Sequence, residues 1–359
     1  MPKDHEPIRF PADESAHDTV VEWWYWNGHL KDAQGKEYAF MDCLFKVDIQ
    51  KVKIPFLSKI PFKMSYFSHS LVTDIGGKSF SHRASPISIV SDDSFLKPSL
   101  YISYVNPAFK NSFTDCIIEK TGDSAYHLKN EDIDLRLSSS KAPLLEGGDG
   151  FIDLQSTSTY YYSLTSLVTE GRIKVGGEWV EVTGKSWMDH QWADSSYSKD
   201  RWNWFSVQLD GDTEMVCCAY DNGSVKTYFA GVSHPDGRQD HYSEVEIVPM
   251  EKSWTSPKSK ATYPLSWKIK IPAARIELDM SARNEDQEVL FGSINYWEGP
   301  LAVTGTLDGK EVAGAGFAEL VGYPSHYGSI RYLNDEIRKT IRQSFVFLKK
   351  SRDASKPKP

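Results

Sequence analysis

The segment Trp187-Met188-Asp189-His190-Gln191-Trp192 sets a carboxyl, an imidazole and two indoles within six residues. A carboxyl in an apolar setting keeps its proton and can donate it, an imidazole can orient water, and indole faces stabilise a cation. Downstream, Arg201-Trp202-Asn203-Trp204-Phe205 adds two more indoles, and Ala219-Tyr220-Asp221 brings a second candidate acid beside a phenol. In Glu22-Trp23-Trp24-Tyr25-Trp26-Asn27-Gly28, alternation puts Trp24, Trp26 and Gly28 on one face, with Glu22, Tyr25 and Asn27 nearly opposite. Those tryptophans are either barrel-floor core or walls of a ligand cavity. His69 is a lone strand histidine that reads as a core group and is kept as a pocket candidate. Tyr296-Trp297-Glu298-Gly299 and Glu319-Leu320-Val321-Gly322-Tyr323 repeat the aromatic and acidic mixture. Buried alone, Glu298 and Glu319 would each be costly, so both need basic or hydrogen-bonding partners, and a structural brace is the simpler reading. Asp189 and His190 admit the same alternative, bracing a domain junction through hydrogen bonds.

Several common chemistries fail on spacing. Gly77-Lys78-Ser79 resembles the end of a phosphate loop, but Val72 stands where the earlier glycine belongs. Gly314-Ala315-Gly316 is followed by Glu319 where a dinucleotide fingerprint needs glycine, and Gly184-Lys185-Ser186 continues to Met188 instead of the glycine of a nucleophile elbow. The 10 histidines include no His-Glu-x-x-His pair, and neither a metal nor another cofactor is expected.

The elements that must hold these residues read as strands. Glu22 to Leu30, Tyr38 to Val47, Tyr66 to Thr73, Tyr101 to Asn106 and Tyr160 to Leu167 are short, aromatic or β-branched, and bounded by turn formers. Hairpin turns recur at Gly76-Gly77, Gly176-Gly177, Asp210-Gly211, Asp236-Gly237 and Asp308-Gly309. The pattern predicts an all-β chain of two lipocalin-like antiparallel barrels in tandem, because closure removes exposed edges and the 359 residues are too many for one ordinary barrel. The regular strand signal gives way between Trp179 and Arg201, first to Gly184 through Trp192 and then to the polar stretch Ala193 to Asp200, which sets the expected domains at 1–195 and 196–333. The segments Lys141 to Gly150 and Glu251 to Ser259 read as long surface connections or mouth-covering lids. From Asn334, Ile337, Ile341, Phe345 and Leu348 recur at helical intervals, giving one amphipathic helix and a basic tail over 334–359. The helix packs on the barrel exterior in the simplest reading, or makes peripheral membrane contact.

With Lys+Arg 41 against Asp+Glu 49, the net charge of −8 argues against a nucleic-acid partner. An aromatic share of 13%, with 11 Trp and 18 Tyr, suits an apolar small-molecule pocket instead. Cys43, Cys116, Cys217 and Cys218 lack the density of a disulfide scaffold and read as reduced core residues. The first 18 residues carry no apolar stretch of the signal-peptide kind, so a cytoplasmic location is expected, with an exported mature form left open.

Glu22-Trp23-Trp24-Tyr25, Trp187-x-Asp189-His190-x-Trp192 and Tyr296-Trp297-Glu298-Gly299 through Glu319-Leu320-Val321-Gly322-Tyr323 occur in this order in the carotenoid 1,2-hydratase and AttH-like family, which this chain resembles over nearly its whole length. The resemblance implies a pair of lipocalin-like barrels. It also implies chemistry on hydrophobic small molecules: hydration of a carotenoid alkene or a prenylated phenol, or cyclisation of a polyene. In the carotenoid hydratases a histidine and tryptophan separated by one residue, with a tyrosine and aspartate further on, form the proposed active-site set. His190 and Trp192 match directly, and Tyr220 and Asp221 are the nearest counterparts. The expected proton-handling set is thus Asp189, His190, Tyr220 and Asp221. Trp24, Trp26, His69, Trp187, Trp192, Trp202, Trp204 and Tyr296 are the expected substrate contacts. Acid-catalysed hydration of an isolated C=C in an isoprenoid, carotenoid, prenylated or polyene metabolite is the leading expectation. A pericyclase, gaining rate from preorganisation, and a lipid or pigment carrier that transforms nothing are the alternatives.

Overall fold

The computed structural model describes residues 5–52, 63–97, 99–107, 115–155, 157–197, 200–291 and 294–324. The expected helix and tail over 334–359 lie outside them. Within them the chain is almost entirely antiparallel sheet, its helical turns being three short 3-10 segments.

The first sheet contains β1 (Val21–Lys31), β2 (Glu37–Asp48), β3 (Met64–Asp74), β4 (Ser79–Val90), β5 (Tyr101–Val105), β6 (Cys116–Gly122), β7 (Ala125–Lys129), β8 (Ile133–Ser139), β9 (Leu144–Leu145), β10 (Phe151–Asp153), β11 (Ser158–Val175) and β12 (Glu178–Ala193). It closes because β11, 18 residues long, pairs with β12 on one side and with β8 on the other. The ring has ten strands. A register shift between Leu164 and Leu167 in β11 marks where that strand passes from β9 and β10 to β8.

The second sheet follows from β13 (Arg201–Leu209), β14 (Thr213–Asp221), β15 (Lys226–Ser233), β16 (Gln239–Tyr242) and β17 (Glu246–Pro249). A small hairpin, β18 (Ser253–Thr255) and β19 (Thr262–Pro264), interrupts it before β20 (Ser266–Ile271), β21 (Ile276–Ala282), β22 (Glu288–Phe291), β23 (Ile294–Leu307) and β24 (Lys310–Val321). Its order runs β16-β15-β14-β13-β24-β23-β21-β20-β17, and the end strands do not pair with each other. The second lipocalin-like unit is therefore a half-barrel rather than a closed ring. All five turns counted from sequence join adjacent strands of a hairpin.

Burial patterns show which side of the barrel is covered. On β7 and β8 buried and less buried residues alternate, as expected of a strand with one face to solvent. On β1 and β2 burial is nearly continuous, because the outward residues Tyr25, Ala39, Met41 and Cys43 pack against Trp204, Val216, Phe317 and Val321 of the second sheet. The barrel interior is itself filled by Trp24, Trp26, Phe40, Leu44, Tyr104 and Tyr162. Segment 141–150 also belongs to the intersheet layer, a correction to its reading as a surface connection: Leu144 joins the apolar cluster and Glu146 is fully buried against Gly231.

Strand β12 crosses β1 so closely that a Cβ on Gly184 would collide with the His29 carbonyl and crowd the Leu30 Cα. A backbone obstacle cannot rotate away. Gly184→Ala is expected to lower stability by about 2–3 kcal/mol, read as a drop in melting temperature.

Candidate active site

Sheet register assembles the site from two facing rows. Across the outer wall of the barrel, Ser163, Asp189, Tyr25, Cys43 and His69 are successive cross-strand neighbours on β11, β12, β1, β2 and β3. Across the inner face of the second sheet, Cys218, Trp204, Glu319 and Glu298 are successive neighbours on β14, β13, β24 and β23. Hydrogen bonds join the rows. Tyr25 donates to Glu298 Oε1 at 2.8 Å, His69 Nδ1 lies 2.6 Å from the Tyr296 hydroxyl, and Trp204 Nε1 donates to the Tyr161 hydroxyl at 2.8 Å.

Asp189 is held by three donors. Trp187 Nε1 and Ser163 Oγ reach Oδ1 at 2.6 and 2.7 Å, and the Tyr161 hydroxyl reaches Oδ2 at 2.7 Å. Burial pushes its pKa up to about 7 in spite of them. Glu319 has one such bond, from Trp202 Nε1 at 3.0 Å. Burial and the nearby Asp189 carboxyl outweigh it and bring Glu319 to about 7 as well. Glu298 is 0% exposed, and burial with the facing Glu319 carboxyl drives its pKa well above the ordinary value. Its Oε2 has no hydrogen-bond partner. Neither Glu298 nor Glu319 faces a Lys, Arg or His at ion-pair distance among the described residues, so the basic partners expected of buried braces are missing.

Burial likewise raises Tyr25, Tyr161, Tyr296, Cys43 and Cys218 and lowers His69 to about 3. Every one of these groups is driven toward its neutral form. The layer thus carries little charge below about pH 7, a setting in which a carboxyl can donate a proton. At one end, the half-buried rings of Trp23, Phe45, Tyr197 and Trp202 flank it, with Tyr197 5.8 Å from Trp23 and 6.4 Å from Trp202 between ring centroids.

The residues expected from sequence fall into three places. Asp189, Trp187, Trp202, Trp204, Tyr220, Tyr296 and His69 face the intersheet layer, where Tyr220 donates to Asp200 at 2.5 Å. His190, Trp192, Trp24 and Trp26 face the barrel interior. Adjacent strand residues point to opposite faces, so Asp189 and His190 do not share a site. Asp221 leaves Tyr220 for the same reason, its carboxylate 3.7 Å from Lys226 toward solvent. Glu22 is a further correction. It points inward beside Trp24, where burial is overcome by hydrogen bonds from His17 and His190 and by the Lys46 charge, holding it at about 2.

Asp189→Asn is expected to cost about 1–3 kcal/mol, because an amide cannot accept from Trp187, Ser163 and Tyr161 together; thermal unfolding reads it.

A family model described as AttH-like matches residues 1–323. The chain belongs to the AttH-like family. Two curated relatives are similar over part of their length. Dehydratase asqC of Emericella nidulans is 25% identical over 209 residues, covering 54% of this chain and 58% of the relative. Kievitone hydratase of Fusarium solani subsp. phaseoli is 23% identical over 205 residues, covering 54% and 57%. The chain thus spans a little over half the length of these two curated relatives. Among solved structures, a protein assigned as AttH from Nitrosomonas europaea superposes with a TM-score of 0.72 at 24% identity, covering 90% of this chain and 99% of the other. Kievitone hydratase from Nectria haematococca superposes with a TM-score of 0.69 at 19% identity, covering 88% and 93%. Both share the fold described above.

Proposed function

We propose that this AttH-like protein adds water to, or removes it from, an isolated C=C of an apolar small molecule held between its two sheets. The observation that carries the reading is the Glu298/Glu319 pair. Two carboxyls opposite one another on β23 and β24, with no cation beside them, are both held above the ordinary carboxyl range, so Glu298 keeps its proton near neutral pH while Glu319 is partly ionised. Glu298, the more deeply buried, is the acid, and Glu319 the base. In hydration the Glu298 proton and the alkene π pair form a C–H bond, leaving a tertiary cation at the neighbouring carbon. Water forms the C–O bond there, and its surplus proton passes to Glu319. Dehydration is the same path reversed. The faces of Trp202, Trp204 and Tyr25 stabilise the cation. The names dehydratase and kievitone hydratase, borne by relatives, support this class of reaction.

The substrate is an isoprenoid, a prenylated phenol or a polyene, since the layer is rich in rings and holds no Lys or Arg beside its carboxyls. No cofactor enters the scheme. The test is mass spectrometry of extracts after incubating the full chain with panels of acyclic carotenoids, prenylated phenols and their hydrated counterparts. A gain or loss of one water supports the proposal. Isomass products would replace it with cyclisation, and unchanged co-purifying ligand with carriage.

A further inference from the structure

On the barrel-facing side of β1 and β12, we infer a binding site for one divalent transition-metal ion, of the Zn2+ class, formed by His17, Glu22 and His190. Glu22 on β1 and His190 on β12 are diagonal neighbours inside the barrel, since Trp24 pairs with His190 and Glu22 with Trp192. His17 is brought over them by the N-terminal segment. His17 Nδ1 lies 2.8 Å and His190 Nε2 3.0 Å from the same oxygen, Glu22 Oε1, and the three ligand atoms all lie within 4.8 Å of one another. Tetrahedral zinc with bonds near 2.0–2.1 Å wants its donors about 3.3 Å apart, so each imidazole must back away from Glu22 Oε1 by a few tenths of an ångström while the two imidazole nitrogens, within 4.8 Å of one another, draw together.

Two imidazoles and one carboxylate, with a further position open, are a donor set that suits borderline ions rather than Mg2+ or Ca2+. The surroundings supply the orienting contacts such sites use. Asp13 Oδ1 is 3.3 Å from His17 Nε2, and Lys46 holds the other Glu22 oxygen at 2.8 Å, leaving Oε1 to bind alone. His17 stacks on Trp192 at 3.9 Å and His190 on Trp24 at 4.9 Å between ring centroids, fixing both imidazole planes. The bare network is also a hydrogen-bonded brace, with Glu22 accepting from both histidines and Lys46, though His190 Nδ1 has no partner. The ion must displace the two imidazole N–H groups, and the Lys46 ammonium weakens its affinity. A bound ion would clamp the N-terminal segment to the barrel, away from Glu298 and Glu319.

Cobalt(II) is the probe, titrated into chelator-treated full-length protein. The expected result is one equivalent bound with visible d–d absorption of low-symmetry N/O coordination, displaced by Zn2+ and not by Mg2+. His17→Phe keeps a ring stacked on Trp192 but removes a ligand, and should weaken binding roughly a hundredfold. Asp13→Asn should weaken it about tenfold. Far-UV circular dichroism confirms the fold of each variant. Absorption no different from Co2+ in buffer, or equal binding by wild type and His17→Phe, would overturn the proposal and leave the cluster a hydrogen-bonded brace.

Discussion

Replacing Glu298 by Gln is expected to lower turnover by about 10²–10⁴-fold with little loss of fold, and Glu319→Gln by a similar factor. Glutamine keeps the size of each side chain, and both carboxyls lack a cationic partner that the change would orphan. Glu298 can still accept from Tyr25 through the amide oxygen, and Glu319 from Trp202. What the amide cannot do is release or take up the proton. A residue that merely braced the interface would show the opposite pattern, a loss of stability with turnover of the surviving protein intact. Substrate depletion with calorimetry on the same samples separates the two. The effects of the two changes should be strongly non-additive, because the acid and the base serve one catalytic path.

The second large effect is opposite pH trends in activity and stability. Glu319 works as a base only once ionised, so the rate should rise with pH through about 7 and fall near tenfold per pH unit below that. It falls again when Glu298 loses its proton, well above the ordinary carboxyl range. Stability moves the other way. Asp189 ionises near 3.8 when exposed and near 7 when folded, so its neutral form favours the folded state fully below pH 3.8. That contribution is lost as pH rises through 7. It amounts to a few kcal/mol, since each pH unit between the exposed and folded values is worth roughly 1.4 kcal/mol. Glu319 adds a smaller decline of the same sign, reduced by its partial exposure. Trp202→Phe removes the bond that lowers Glu319, so the acid limb of the rate profile should move to higher pH. Rate profiles and melting curves over about pH 5 to 9 read both trends; parallel trends would contradict the assignment.

Most of the fold was legible because strands and two-residue turns are local signals. The closed and open sheets were not distinguishable, since closure depends on β11 reaching β8, a pairing set by the path of the whole meander. The site was half legible. Adjacent residues in sequence, such as Asp189 with His190 and Tyr220 with Asp221, suggest company that alternation forbids. Counting from a turn would have done better. From Asp308-Gly309, nine residues back from Leu307 and nine on from Lys310 lead to Glu298 and Glu319, which therefore oppose each other. Which wall of the barrel they face could not be counted, because packing of one sheet on another leaves no periodic trace in the chain. Only the two-sided burial of β1 and β2 hints at it, and in sequence that looks like a run of rings.

The most direct test of proton transfer from Glu298 is hydration run in D2O, with the product read by mass spectrometry and NMR. One new C–D bond is expected at the carbon next to the one bearing oxygen, formed by wild type and abolished in Glu298→Gln. A product without that bond, or one formed equally by the Glu298→Gln, Glu319→Gln double variant, would contradict it.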